Sequence, residues 1–347
     1  MNPSMTDELP ELMRAAVLTP EQQIILEQRR RPDPGPGDVL VRVRSVGVCG
    51  SDVHYFRQGR IGEFVVEAPL VLGHEAAGEI AAVGADVDPE RIGQRVSIEP
   101  QRPRLDSPQS LAGQYNLDPD IEFYATPPVD GAFAEYVLIP AHFAHPVPQE
   151  LSDDAAALLE PLSVGIAALR KAALTVGERV LITGAGPIGL ILVQLARVYG
   201  AQRIAVTDLD PQRLALASEF GATETHDAGA GTVAEEPGFE VFLDASGAGS
   251  AVRSGLRCLA PAGRAVLIGM GAEEYALPVA VIQNRELTVQ GVFRYANTWP
   301  AAIDLVARGL VDLDSLVTER FGLADTQKAL ETAGDAAVLK NMVLPDQ

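Results

Sequence analysis

RVLITGAGPIGLILVQLARVYGAQRIAVTD, residues Arg179 to Asp208, is the stretch from which the fold follows. RVLIT reads as a short buried strand. Gly184, Gly186 and Gly189 then form a G-x-G-x-x-G turn that also holds Pro187 and Ile188. An apolar helix, LILVQLARVYG, follows, and IAVTD is a second strand ending on Asp208, nineteen residues after Gly189. A glycine triplet alone says little. Strand, turn, helix and terminal acid together mark a dinucleotide site. The free N–H groups at the helix start receive a pyrophosphate. Asp208 would accept hydrogen bonds from the adenosine ribose and repel a 2′-phosphate, which favours NAD over NADP. Arg213, five residues later, could stack on adenine, pair with Asp208 or admit NADP.

Downstream the βα alternation continues through FEVFLDASG, a helix from about Ser250 to Leu259, and AGRAVLIGMG. LTVQGVF, Leu287 to Phe293, should close the sheet and place Val292 and Phe293 at the cofactor. Upstream, MRAAVLT, QIILEQ, DVLVRVRSVGV, AAGEIAAVG, QRVSIEP and AFAEYVLIP read as short strands separated by turns. They predict a twisted, partly open barrel. Residues 1 to about 11 are polar and read as loose. The helical patterns AAIDLVARG and ADTQKALETA are expected to return to the first domain. The fold class is therefore α/β, a doubly wound Rossmann sheet plus a mostly β domain. The expected boundaries are 1–157 with 296–347 for the β domain and 158–295 for the dinucleotide-binding domain.

The chemistry concentrates at Val48 to Gly78, VCGSDVHYFRQGRIGEFVVEAPLVLGHEAAG. Cys49, His74 and Glu75 supply the thiolate, imidazole and carboxylate that suit zinc. Three ligands and an open fourth position describe a catalytic centre. Gly47, Gly50, Gly73 and Gly78 bracket them and allow the backbone to bend. On residue pattern alone, a buried cysteine beside two unrelated histidines fits equally well. Farther on, Ser152 is a helix cap for an Ala/Leu-rich run that Glu160-Pro161 interrupts.

CGSDVH, GHE at Gly73 to Glu75 and EPLSVG resemble the zinc-containing medium-chain dehydrogenases. HYFRQGRIGEF, PDIEFYATPPVDG and VFRYANTWP are narrower and resemble the sorbitol and xylitol (polyol) dehydrogenases of that family. The resemblance runs from about Val39 to the C-terminus. It implies a GroES-like catalytic domain and NAD- and zinc-dependent oxidation of a polyol to its 2-ketose. Zinc on Cys49 and His74 would acidify the substrate hydroxyl, and a hydride would pass to the nicotinamide. Two direct carboxylates would overshoot the zinc charge, so one glutamate binds directly and the other through water. The resemblance favours Glu75 as direct ligand, with Glu160 on the water. It also makes Ser51 and His54 a proton relay. Tyr55, Arg294 and Tyr295 are the candidates for the extra hydroxyls, with Phe64 and Thr126 in other matched blocks. Many relatives carry a structural zinc on four cysteines. The matching positions here are Arg104, Ser107, Ser110 and Asp118, so a single zinc per chain is expected. A subunit contact, or Phe123 and Tyr124 packing beneath, would then hold that lobe. The resemblance implies a homotetramer, with a dimer as the alternative. The rivals are the same fold acting on a threonine- or butanediol-type alcohol, and a non-catalytic NAD-binding protein.

Composition narrows the partners. The 347 residues carry a net charge of −20, which repels nucleic acid and anionic membranes. Two cysteines make no disulfide framework and point to the cytoplasm. MNPSMTDELPE has no apolar run and is no signal peptide. No run of ~18 uncharged apolar residues exists to span a membrane.

Overall fold

The glycine-turn stretch folds into strand Arg179–Thr183, helix Pro187–Val198 and strand Arg203–Asp208. The structure, a computed structural model, describes residues 9–230, 238–335 and 337–347. Most of the N-terminal segment read as loose therefore lies outside the described residues. The chain divides into two compact units.

The unit of residues 104–119 and 159–316 contains, among its described residues, a six-stranded parallel sheet. From one edge the strands are Glu224–Asp227, Arg203–Asp208, Arg179–Thr183, Phe239–Asp244, Leu259–Leu267 and Thr288–Gly291. Chain direction along the sheet reverses at Arg179–Thr183, the switch point where dinucleotides bind. Leu181, Phe239, Phe242 and Leu256 anchor the core on the face covered by helix Gly249–Cys258. Strand Thr288–Gly291 ends the sheet, as read from LTVQGVF.

The unit of residues 1–103, 120–158 and 317–347 is built on strand Asp38–Gly47. It belongs to a seven-stranded sheet among the described residues. Glu75–Val83, Tyr136–Pro140 and Lys340–Leu344 all pair with it antiparallel. A separate three-stranded sheet carries Leu12–Leu18 between Ile24–Arg30 and Leu70–Val71.

Two segments fall elsewhere than the sequence suggests. Helix Trp299–Ala307 and the residues to Leu316 join the parallel-sheet unit, so the unit edge lies after 316 and not at 295. Trp299 is fully buried, and its ring packs edge-on to Tyr295 at 5.0 Å. Gln194 fixes the segment beyond it, donating to Asp312 O at 3.0 Å and accepting from Asp312 N at 2.7 Å. The lobe 104–119 also belongs to that unit. Asn116 Nδ2 donates to Phe293 O at 2.7 Å, and Asn297 N and Nδ2 donate to Tyr115 Oη and Gly113 O. Phe123 and Tyr124 are buried in the other unit. Hydrogen bonds from the lobe to 293–297 take the part expected of their packing.

Ser152 caps helix Asp153–Ala157, accepting from Ala155 N at 2.9 Å. That helix holds Asp154, whose carboxylate accepts from Ser45 Oγ at 2.5 Å and from Arg320 Nε at 2.7 Å. Arg320 reaches solvent, but Ser45 is fully buried and loses its acceptor in Asp154→Ala. We expect this variant to lose ~1–3 kcal/mol of stability in chemical denaturation. An unchanged midpoint and slope would exclude the contribution.

Candidate functional site

Cys49, His74 and Glu75 form, among the described residues, the one group able to hold a metal ion. Their ligand atoms lie within 4.8 Å of one another. Cys49 stands at the start of helix Gly50–Gln58. His74 and Glu75 sit where the chain enters strand Glu75–Val83. Sheet register makes the convergence, because Gly47 pairs directly with Glu75. Gly73 adopts φ +88°, a conformation open to glycine, and a β-carbon there would lie 2.9 Å from the Phe133 ring.

Asp52, fully buried in the first turn of the helix, links Cys49 to the segment of His74. Its carboxylate accepts from Cys49 N and from Gly73 N, both at 2.9 Å. One oxygen lies 3.7 Å from His74 Nδ1. Burial opposes protonation of His74, yet the neighbouring Cys49 and Asp52 charges hold its pKa well above the ordinary imidazole value. A divalent cation meets that same negative environment. Donor types and spacing therefore fit zinc.

Lys340 is the residue the sequence reading missed. Its ammonium donates to Glu75 Oε1 at 2.8 Å, Glu75 Oε2 at 2.9 Å and Val48 O at 3.0 Å. A charged residue inside the apolar run VLKNMVL was the available signal. Asp52 likewise stood inside CGSDVH without a role.

Ser51, His54 and Tyr55 occupy the helix after Cys49, the first two half-buried and Tyr55 buried. Ser51 and His54 are three residues apart and share a helix face. Phe64 is exposed in the short hairpin Arg60–Ile61 and Phe64–Val65, and Thr126 is half-buried in a tight turn with Val129.

In the parallel-sheet unit, Glu160 is buried in the first turn of helix Leu159–Ala172, a favourable end for a carboxylate. Its Oε1 accepts from Tyr295 Oη at 2.6 Å. The Arg294 guanidinium lies over the Phe293 ring at 4.6 Å, and Arg294 has φ +54°. Such strain in a non-glycine residue concentrates at functional segments. Phe293 is exposed, and Val292 is half-buried with its N–H bound to Leu267 O.

The cofactor cradle is assembled. Gly184 has φ +90°, and a β-carbon at Gly189 would lie 1.8 Å from Gly184 O. A β-carbon at Gly186 would meet no atom within 4 Å, which leaves open the face a pyrophosphate approaches. Pro187 starts the helix, where its missing N–H costs nothing, and Ile188 is half-buried behind it. Asp208 accepts from Ala185 N at 2.6 Å and Asp210 N at 2.9 Å. A cavity of about 730 Å³ runs past Gly184, Asp208, Ser246 and Ser250. Arg213 is half-buried in helix Pro211–Glu219. Asp244, also missed in the sequence, accepts from Thr183 Oγ1, Ser246 Oγ and Gly247 N and fixes the loop beside Gly184.

The positions matching the tetrathiolate interact with one another. Ser107 Oγ accepts from Ser110 N at 3.2 Å, and Asp118 accepts from Arg104 N at 2.5 Å. Two hydroxyls, a carboxylate and a guanidinium are a poor zinc donor set.

Comparison with known proteins shows the family. Residues 35–149 match the alcohol dehydrogenase GroES-like domain, and residues 187–308 match the zinc-binding dehydrogenase family. Sorbitol dehydrogenase of Bacillus subtilis (strain 168) is 42% identical, covering 99% of this chain and all of the relative. Among solved structures, L-idonate 5-dehydrogenase of Escherichia coli superposes with TM-score 0.91 at 28% identity, covering 96% of this chain and 98% of that one. A zinc-binding dehydrogenase of Sinorhizobium meliloti 1021, bound to NADP, superposes with TM-score 0.90 at 30% identity, covering 97% and 100%.

Asp52→Asn keeps the side-chain shape but removes the charge beside His74 and one backbone acceptor. We expect zinc affinity to fall ~10- to 100-fold in a chelator competition. Unaltered affinity would separate Asp52 from the metal site.

Proposed function

The chain belongs to the zinc-binding dehydrogenases that carry an alcohol dehydrogenase GroES-like domain, and from that premise we propose that it oxidises a polyol such as sorbitol or xylitol to its 2-ketose. The observation that carries this reading is the preassembled Cys49, His74 and Glu75 cluster in a chain 42% identical to a sorbitol dehydrogenase over nearly its whole length. Bound zinc would supply the positive charge that acidifies the substrate hydroxyl, and the nicotinamide would accept the hydride.

The chain's own residues divide the remaining work. Cys49, His74 and Glu75 would hold the metal, and Glu160, which accepts from Tyr295 Oη, would hold a water and move a proton. Ser51 and His54 lead that proton toward solvent along the first helix. Tyr55, Arg294 and Tyr295 offer hydrogen bonds to the additional hydroxyls, with Phe64 and Thr126 as further contacts. A simple alcohol would make fewer of these hydrogen bonds, each worth roughly 0.5–1.5 kcal/mol. Gly184, Gly186, Pro187, Ile188 and Gly189 cradle the pyrophosphate, Val292 and Phe293 meet the nicotinamide end, and Arg213 flanks the adenine. The carboxylate of Asp208 at the strand end supports NAD over NADP.

The division of labour is a zinc-carrying β unit and a cofactor-carrying parallel-sheet unit. One zinc per chain and no structural zinc follow from the donor chemistry at Arg104, Ser107, Ser110 and Asp118. A homotetramer, or failing that a dimer, in the cytoplasm completes the reading. Among the described residues no helix is long and apolar enough to cross a membrane.

A panel of polyols and short alcohols assayed with NAD and NADP, beside elemental analysis, tests the proposal. We expect polyol oxidation with NAD and one zinc per chain. Activity confined to short alcohols, or two tightly held metals per chain, would refute the corresponding part. Asp208→Ala should weaken NAD binding and narrow its advantage over NADP. A wild-type protein that uses both equally would remove the ribose argument.

A further inference from the structure

Lys340 and Glu75 are a buried ion pair at the proposed metal site, 4% and 1% exposed and 265 residues apart in sequence. The Lys340 ammonium donates to both oxygens of Glu75 and to Val48 O. Both oxygens of Glu75 therefore face a cation that belongs to the chain itself. The geometry is enforced from two sides. Strand Lys340–Leu344 pairs with Asp38–Gly47, with Met342 opposite Gly47, and Val48 N donates to Asn341 O at 2.9 Å. A β-carbon at Gly47 would lie 2.0 Å from Glu75 Oε2, so the carboxylate occupies room that glycine leaves.

We infer that Lys340 is a positioning residue that holds Glu75 in competition with the metal and so sets how tightly the site binds zinc. The inference rests on the zinc-site reading above. The charges show why such a residue matters. Zinc with the Cys49 thiolate and the Glu75 carboxylate sums to zero, a weak Lewis acid. The Lys340 ammonium returns one positive charge to the same buried volume. A substrate hydroxyl near a net positive centre is more acidic than one near a neutral centre. The same ammonium occupies the carboxylate that the metal would bind. Affinity is thereby lowered and acidity raised by one side chain. In the metal-free chain Lys340 is also the counter-charge that makes burial of Glu75 tolerable.

Zinc affinity, measured on the full chain after chelator stripping by competition with a chromophoric chelator, reads this directly. Lys340→Met keeps length and apolar stem but removes the charge. It should bind zinc about tenfold or more tightly than wild type, since it no longer holds the carboxylate that the ion would bind. In a Glu75→Gln background the same substitution should change affinity far less, because the shared carboxylate is gone. The melting midpoint of metal-free Lys340→Met should fall, and zinc should raise it by more than in wild type. Equal or weaker zinc binding by folded Lys340→Met overturns the inference. So does full tightening in the Glu75→Gln background, which would show a general field effect not exerted through Glu75. If metal-free Lys340→Met does not fold, Lys340→Arg preserves the charge and should bind zinc within a few-fold of wild type. A tenfold or greater change there overturns the inference as well. Wild type that binds no zinc would sink the zinc-site reading and this inference with it, a result distinct from normal binding that ignores residue 340.

Discussion

Strand Asp38–Gly47 is the constraint on which the site depends. It pairs with Glu75–Val83, Tyr136–Pro140 and Lys340–Leu344, segments distant from one another in the chain. The strand ends two residues before Cys49. Its pairing fixes where Glu75 and Lys340 stand relative to that cysteine, because register in a buried sheet does not slip without turning every side chain over. The candidate ligands are thus placed by backbone hydrogen bonds of the sheet.

Buried charge is the cost of this arrangement, and the chain meets it locally. Asp52 is fully buried, but two backbone N–H groups and the His74 ring surround its carboxylate. Glu75 is met by Lys340. Asp154 is met by Ser45 and Arg320. Each carboxylate has partners in place, as buried ions require. These side chains are therefore held in position by the fold itself.

In the parallel-sheet unit a different device does similar work. The ends of two neighbouring strands are joined through Asp244, which accepts from Thr183 on one and from Ser246 and Gly247 in the loop after its own, beside the glycine turn. The lobe 104–119 braces the strained segment around Arg294 and Asn297 through Tyr115 and Asn116. A lobe without thiolates is held by side-chain hydrogen bonds and in turn holds residues that the proposed chemistry uses.

The sequence by itself determined the local patterns. The Arg179–Asp208 unit, the glycine spacing and the Ser152 cap are short-range signals, carried by periodicity and residue type, whereas residue pattern alone left the grouping of Cys49, His74 and Glu75 open. Tertiary structure alone decided the partners. Lys340 meets Glu75 through strand register, and Tyr295 meets Glu160 through the packing of Trp299 and its neighbours. It also decided that 104–119 and 296–316 belong with the parallel sheet. The physical reason is that such contacts join residues far apart in the chain. Burial and hydrogen-bond satisfaction select them only once the sheets exist, and neither leaves a periodic trace in sequence.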